Sequence, residues 1–300
     1  MNTDLALASP ALIDQPWLHV ALLLYALSAG PALWAIGARW ARWAGEAGEA
    51  RRSVAPDAWS SWPAWTLGLA ALAVALHTVS LGLRWATLGH GPFTTMHEIL
   101  SSNLWSLALV YGVSAWFLPP LRRLWLVVLP VFAVLAGWML LADARPGHLP
   151  PTYETVLLYL HTLVGKLFLG LLLTALAWSA VPLLRRAAPG RRLMAGLPDD
   201  RRCDLLAHRY AAFAFVFEGA MLIVGAVWAQ DAWGRYWGWD PLETWAFLTW
   251  LTLAASLHAR VTFRPSPVRF GLCLVTVFVL AFLTFFGVPF VSTSPHQGAI

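Results

Sequence analysis

The chain is short of charge and of cysteine, and each shortage excludes a class of protein. Only 12% of its 300 residues are Asp, Glu, Lys or Arg, about half the share of an ordinary soluble domain. With 59% hydrophobic residues, a water-soluble globule is excluded. The two cysteines, Cys203 and Cys273, make no disulfide framework, since one falls in a basic loop and the other inside an apolar run. There is no Cys-x-x-Cys and no Cys-x-x-Cys-His, so the chain encodes neither a dithiol redox site nor a covalent haem-attachment site of its own. No segment alternates apolar and polar residues with period two, which excludes a β-barrel. No internal repeat is visible. No basic n-region precedes the first apolar run, so that run is expected to stay in the mature protein rather than leave as a signal peptide.

What the chain does have is apolar runs of the roughly 20 residues that cross a bilayer as a helix. Eight are expected, at 18–38, 64–84, 101–118, 124–142, 155–183, 208–229, 243–260 and 268–290. The expected fold is all-α: a polytopic membrane helical bundle of about eight transmembrane helices, one integral membrane domain over 1–300. Lys166 is expected to mark the outer boundary of the fifth span, leaving residues near 154–163 above the lipid. Sixteen of the 20 basic residues follow spans one, three, five and seven: Arg39 to Arg52, Arg122 and Arg123, Arg185 to Arg209, and Arg260 to Arg269. Positive loops stay in the cytoplasm. Both termini are therefore expected on the outer, periplasmic side of a bacterial cytoplasmic membrane. The net charge of +5 is a topology signal carried in short loops, not a nucleic-acid surface.

The densest feature is WAQDAWGRYWGWDPLETWAFLTW, residues 228–250, with six tryptophans. An interfacial belt accounts for one or two at each end of a helix. Six, interleaved with Gly, Asp, Arg and Pro, form either a heavy anchor or a platform for a flat apolar ligand. Asp240-Pro241-Leu242-Glu243 carries the N-cap, N1 and N3 residues of a capping box, which fixes Trp237 and Trp239 directly before span seven. Trp233 and Trp237 are four apart and share a face on a helical turn. Asp231 and Arg235 have the same spacing. Arg235 either pairs with Asp231 or meets a ligand carboxylate such as a haem propionate. Glu98, in the outer segment 89–105, either caps span three or serves the site.

Imidazole is the commonest protein ligand for metals, haem iron included. Of nine histidines, His161 at the outer end of span five and His296 beyond span eight lie at the level of the tryptophans. They are either two axial ligands flanking an aromatic-walled pocket or ordinary interfacial polar residues. His77 in span two and His258 near the inner end of span seven are intramembrane and so candidates by position. They form either a second ligand pair or two packing contacts, and at about 1.5 Å per residue their depths differ by roughly 15 Å. His19, His90, His97 and His148 fall on the outer side, and His208 in the inner basic cluster; none is assigned a role.

GAVWAQDAWGRYWGWDPLETWAFLTWLTLAASLHAR, residues 225–260, closely resembles the WWD signature of the cytochrome c assembly family. It is most similar to the CcsA/ResC type, also called CcsB, of System II. The resemblance covers about 204–260, the expected haem-handling core; residues 1–150 match in layout. It implies a haem-handling subunit for c-type cytochrome biogenesis, presenting non-covalent haem b on the outer face to the Cys-x-x-Cys-His of apocytochrome c. It also implies a ResB-like membrane partner and work done by positioning within a haem lyase. By resemblance His161 and His296 flank the signature as iron ligands, and His258 is the membrane histidine of its LHAR, with His77 as partner. Trp228, Trp233, Trp237, Trp239 and Asp240 form the haem shelf. The chain departs from the family where Asp-Pro-Lys-Glu-Thr is Asp240-Pro241-Leu242-Glu243-Thr244, and where Gly-Leu-His-Ser-Tyr is replaced by Ser294-Pro295-His296-Gln297. The alternatives are a cytochrome b-like electron carrier on His77 and His258, and a haem exporter or regulator without attachment activity. A transporter of another solute is disfavoured, because no span carries paired charges or a Gly/Pro-broken centre.

Overall fold

A computed structural model describes residues 13–45, 64–147, 149–151 and 153–291. Apolar runs this long satisfy their backbone groups only as helices, and no strand occurs among the described residues. In chain order these are α1 (Gln15–Gly45), α2 (Ala64–Leu88), α3 (Met96–Phe117), a 3-10 turn (Pro119–Leu124), α4 (Trp125–Leu141), α5 (Val156–Leu184), the short α6 (Ala188–Leu193), α7 (Asp200–Trp233), α8 (Pro241–Thr262), α9 (Pro267–Phe286) and the one-turn α10 (Val288–Val291). Each expected span falls on one of the long helices. Those carrying α2, α4, α5, α7 and α9 are long and apolar enough to cross a membrane, which fits a multi-pass membrane protein. That all eight cross is an expectation of the sequence.

Local sequence sets the helix starts. Thr95, Thr155, Asp199, Asp240 and Ser266 are N-caps whose side chains each accept an N–H from the third helical residue, satisfying donors that the first turn leaves over. The 89–95 turn, the connection from α4 to α5 and the 234–240 turn lie at one end of the bundle. Arg84 donates to Ala144 O at 2.7 Å and Trp228 Nε1 to Tyr153 O at 3.1 Å. At the other end arginines gather: Arg123 reaches Gly196 O, Arg185 reaches Pro198 O and Asp200, and Arg260 pairs with Asp204. These are called the tryptophan end and the arginine end below.

The largest helix–helix interface is α5 on α7, and α3 joins α1, α2 and α4 to the rest by packing on α5. Lipid is as apolar as leucine, so close fit and interhelical hydrogen bonds hold such a bundle. Glycines allow the close fit: a Cβ at Gly170 would lie 2.7 Å from the Cβ of Val110. Hydrogen bonds join His77 to Ser101 at 2.9 Å and Thr249 to Thr284 at 3.2 Å. Lys166, expected at the lipid boundary, also makes a contact between helices. Its ammonium donates to Ser102 Oγ at 2.9 Å, so the charge is spent on holding α5 to α3.

Glu98 does not cap α3, a role taken by Thr95. It lies fully buried against Arg84, whose Nε donates to Glu98 Oε1 at 2.8 Å, with Asp14 3.6 Å from Arg84 Nη1. Thr94 donates to Glu98 Oε2 through its N–H and its hydroxyl, at 2.9 and 2.8 Å. This cluster ties α1, α2 and α3 together at the tryptophan end.

Candidate functional site

Thr155 starts α5 so that His161 falls in its second turn, facing α7. His161 Nδ1 is 3.0 Å from the carbonyl oxygen of Met221. A carbonyl only accepts, so Nδ1 carries the proton and Nε2 is the basic nitrogen. Beside it, the Trp228 indole lies 14° from parallel to the imidazole with centroids 6.2 Å apart. Trp228, Trp233 and Tyr153 pack edge to face, with centroids 4.9 to 5.7 Å apart.

Gly234, at φ +77°, ends α7 in the left-handed conformation that glycine adopts without strain. Trp233 and Trp237 consequently do not share a helical face as their spacing suggests. The chain turns between them, sending Trp233 to the Tyr153 block and Trp237 to the other side. No ion pair joins Asp231 and Arg235 among the described residues. The Arg235 guanidinium lies over Gly238, where an added Cβ would sit 2.6 Å from Arg235 Cζ.

The turn is closed by the expected capping box. Asp240 Oδ1 accepts the Glu243 N–H at 2.9 Å, and Glu243 Oε2 accepts the N–H groups of Asp240 and Gly238 at 3.2 and 2.8 Å. Trp239 is held at φ +57°, a strained conformation for a bulky residue. The residue is 65% exposed, and its ring meets Trp237 and Phe247 edge to face.

Between α5, α7, α8 and α9 lies an open cleft with about 670 Å³ of empty space, the solvent at its mouth included. His161, Tyr236, Trp237, Glu243, Phe285 and Pro289 are among its walls. Of the residues assigned by sequence, His161 and Trp237 line it. Trp228 backs His161, Trp233 packs on Trp228, Trp239 stands on Trp237, and Asp240 fixes the turn. His296 lies outside the described residues; Pro289, seven positions earlier, is on the wall. His77 is fully buried against Ser101 and Tyr25, on a helix that packs chiefly against α1 and α3. His258 is exposed, 3.4 Å from Thr262 on its own helix, and α8 packs chiefly against α7 and α9. The structure does not bring these two together. A second, apolar cleft of about 1100 Å³ between α1, α2 and α3 includes Tyr25, Trp116 and Arg122. Neither His77 nor His258 is among the residues lining the two clefts.

Sequence reasoning missed Tyr153, Glu243 as a cleft wall, and the Met221 carbonyl. Tyr153 carried a faint signal, an aromatic two residues before a helix cap. A backbone carbonyl carries none. Among the described residues no three His, Cys, Asp or Glu side chains converge on a point. A porphyrin supplies four of its iron's ligands and asks the protein for one or two.

A profile of the family described as Cytochrome C assembly protein matches residues 99–296. The chain is similar to the "Cytochrome c biogenesis protein CcsA" of Guillardia theta, at 29% identity over 256 residues, covering 77% of this chain and 84% of the relative. It is similar to the protein of the same name from Prochlorococcus marinus (strain MIT 9312), at 28% over 255 residues, with 76% and 82% covered. A relative of that name from Cuscuta reflexa is 34% identical over 97 residues, 32% of each chain.

Proposed function

The chain belongs to the cytochrome c assembly protein family, and on that premise we propose that it holds haem in the cleft beside His161 during cytochrome c biogenesis and presents it for attachment to apocytochrome c. The relatives named for cytochrome c biogenesis, aligned over most of both chains, support the role. One observation carries the site. His161 gives its Nδ1–H to the Met221 carbonyl on the wall of an aromatic cleft, which leaves Nε2 as the nitrogen for iron.

Haem b is the substrate, bound non-covalently. The Trp237 indole and the apolar walls of α7 and α9 take its flat face. Arg235, with no ion pair to Asp231, takes a propionate. His296 supplies the second axial imidazole. Seven residues from Pro289 reach at most about 25 Å, enough to bring it over the cleft. The tryptophan end faces the periplasm, since the arginine end carries the charge that stays in the cytoplasm. Attachment adds each cysteine S–H across a haem vinyl group, so the chain contributes position and the exclusion of side reactions. A ResB-like membrane protein is the expected partner.

The test is maturation of a c-type cytochrome reporter in cells carrying single alanine variants of the nine histidines. His161→Ala and His296→Ala are expected to abolish holocytochrome, and His19→Ala to leave it unchanged. Full maturation by His161→Ala contradicts the assignment.

A further inference from the structure

Met221 and Gly225 are one helical turn apart on α7, so the Met221 carbonyl points along the helix at the Gly225 amide. The His161 ring reaches the same carbonyl from α5. It must pass over position 225 to do so. A Cβ built there would lie 2.7 Å from both Nδ1 and Cε1 of the imidazole, closer than side-chain carbons approach one another. The clash is with a side chain, not with backbone, so the ring is the part that yields.

We propose that Gly225 is a positioning residue for haem ligation: the absent side chain forms a slot that seats the His161 imidazole with Nδ1–H on the Met221 carbonyl and Nε2 toward the iron. This deepens the reading of His161 as an iron ligand and rests on it. The seat does three things. It fixes the tautomer, it fixes the ring plane near-parallel to Trp228, and it makes the imidazole a stronger donor through the proton it shares with the carbonyl. An alanine at 225 turns the ring out of the seat without touching the iron.

The experiment uses purified full-length protein loaded with haem, read by absorption and electron paramagnetic resonance. Gly225→Ala is expected to weaken haem binding about 10- to 100-fold, the usual cost of losing an orienting partner of a metal-bound histidine, and to change the low-spin signature. Gly219→Ala serves as control. It makes the same change on α7 next to Trp250 and is expected to keep the wild-type spectrum. Retention of wild-type spectrum and affinity by Gly225→Ala, with ligation lost in His161→Ala, overturns the slot and leaves the ligand assignment standing. An unchanged spectrum in His161→Ala overturns both.

A second measurement leaves position 225 intact. In His161→Gly, added imidazole is expected to restore ligation. 1-Methylimidazole binds iron but has no N–H for Met221, and its methyl group points at the carbonyl oxygen that lies 3.0 Å from Nδ1 in the native seat. It is expected to restore ligation at least about tenfold less well. Equal rescue by the two ligands overturns the slot.

Discussion

The indole of Trp228 backs the imidazole of His161 at 6.2 Å, nearly parallel, while its Nε1–H is given to the Tyr153 carbonyl 75 residues away in sequence. One buried side chain thus braces the candidate iron ligand and pins the loop before α5. Trp228→Ala is expected to cost about 3–5 kcal/mol, as for other buried Trp truncations, and to lower haem content. Trp228→Phe keeps the aromatic face and loses only the hydrogen bond, so a smaller loss of about 1 kcal/mol is expected. Thermal unfolding in detergent and the haem-to-protein ratio check both.

Arg84 and Glu98 form a buried pair whose members need each other. Arg84→Met takes the cation away from two buried carboxylates, Glu98 and Asp14, expected to cost about 3–5 kcal/mol. The double variant Arg84→Met/Glu98→Gln is expected to regain part of that loss, since a neutral amide keeps a hydrogen bond to Thr94 while Asp14 stays without its cation. A double variant no more stable than Arg84→Met speaks against the pair.

The 234–240 turn makes a separable prediction. Asp240→Ala removes one N-cap bond, expected to cost about 1 kcal/mol, and Asp240→Asn retains most of it. Glu243→Ala releases two backbone N–H groups at once and removes a cleft wall. It is expected to lower cytochrome maturation more than Asp240→Ala does at matched protein levels, in a reporter assay.

Glu218 sits midway along α7, 1% exposed, with no hydrogen-bond partner for Oε2 among the described residues. A buried polar atom without a partner costs about 1–3 kcal/mol, and an apolar residue of similar volume is expected to recover a comparable amount. Glu218→Leu should raise the melting temperature. A lower one shows that the carboxyl has a partner.

Much of this was legible where the signal is local. The apolar runs located all eight long helices. The capping box at Asp240 and Glu243 was readable because its partners lie three residues apart. Failures came where the partner is far in sequence or is backbone. Trp233 and Trp237 read as one face because helical spacing ignores Gly234, whose φ +77° stops the helix between them. The Lys166–Ser102 bond was not readable because its two members are on different helices. The Arg84–Glu98 pair was not readable because the turn at 89–95 that joins its helices leaves no periodic trace. His77 and His258 looked alike as intramembrane imidazoles, yet one is sealed in the core and the other stands on an open face. Periodicity does not say which side of a helix meets another when lipid accepts the same residues.

The most direct measurement is the absorption spectrum of the purified protein, wild type and His161→Ala, oxidised and reduced. The account predicts co-purified haem with a six-coordinate, low-spin spectrum in wild type, and loss of haem or a change of coordination in His161→Ala. A wild-type protein that carries no haem, or a His161→Ala protein with an identical spectrum and haem content, would contradict it.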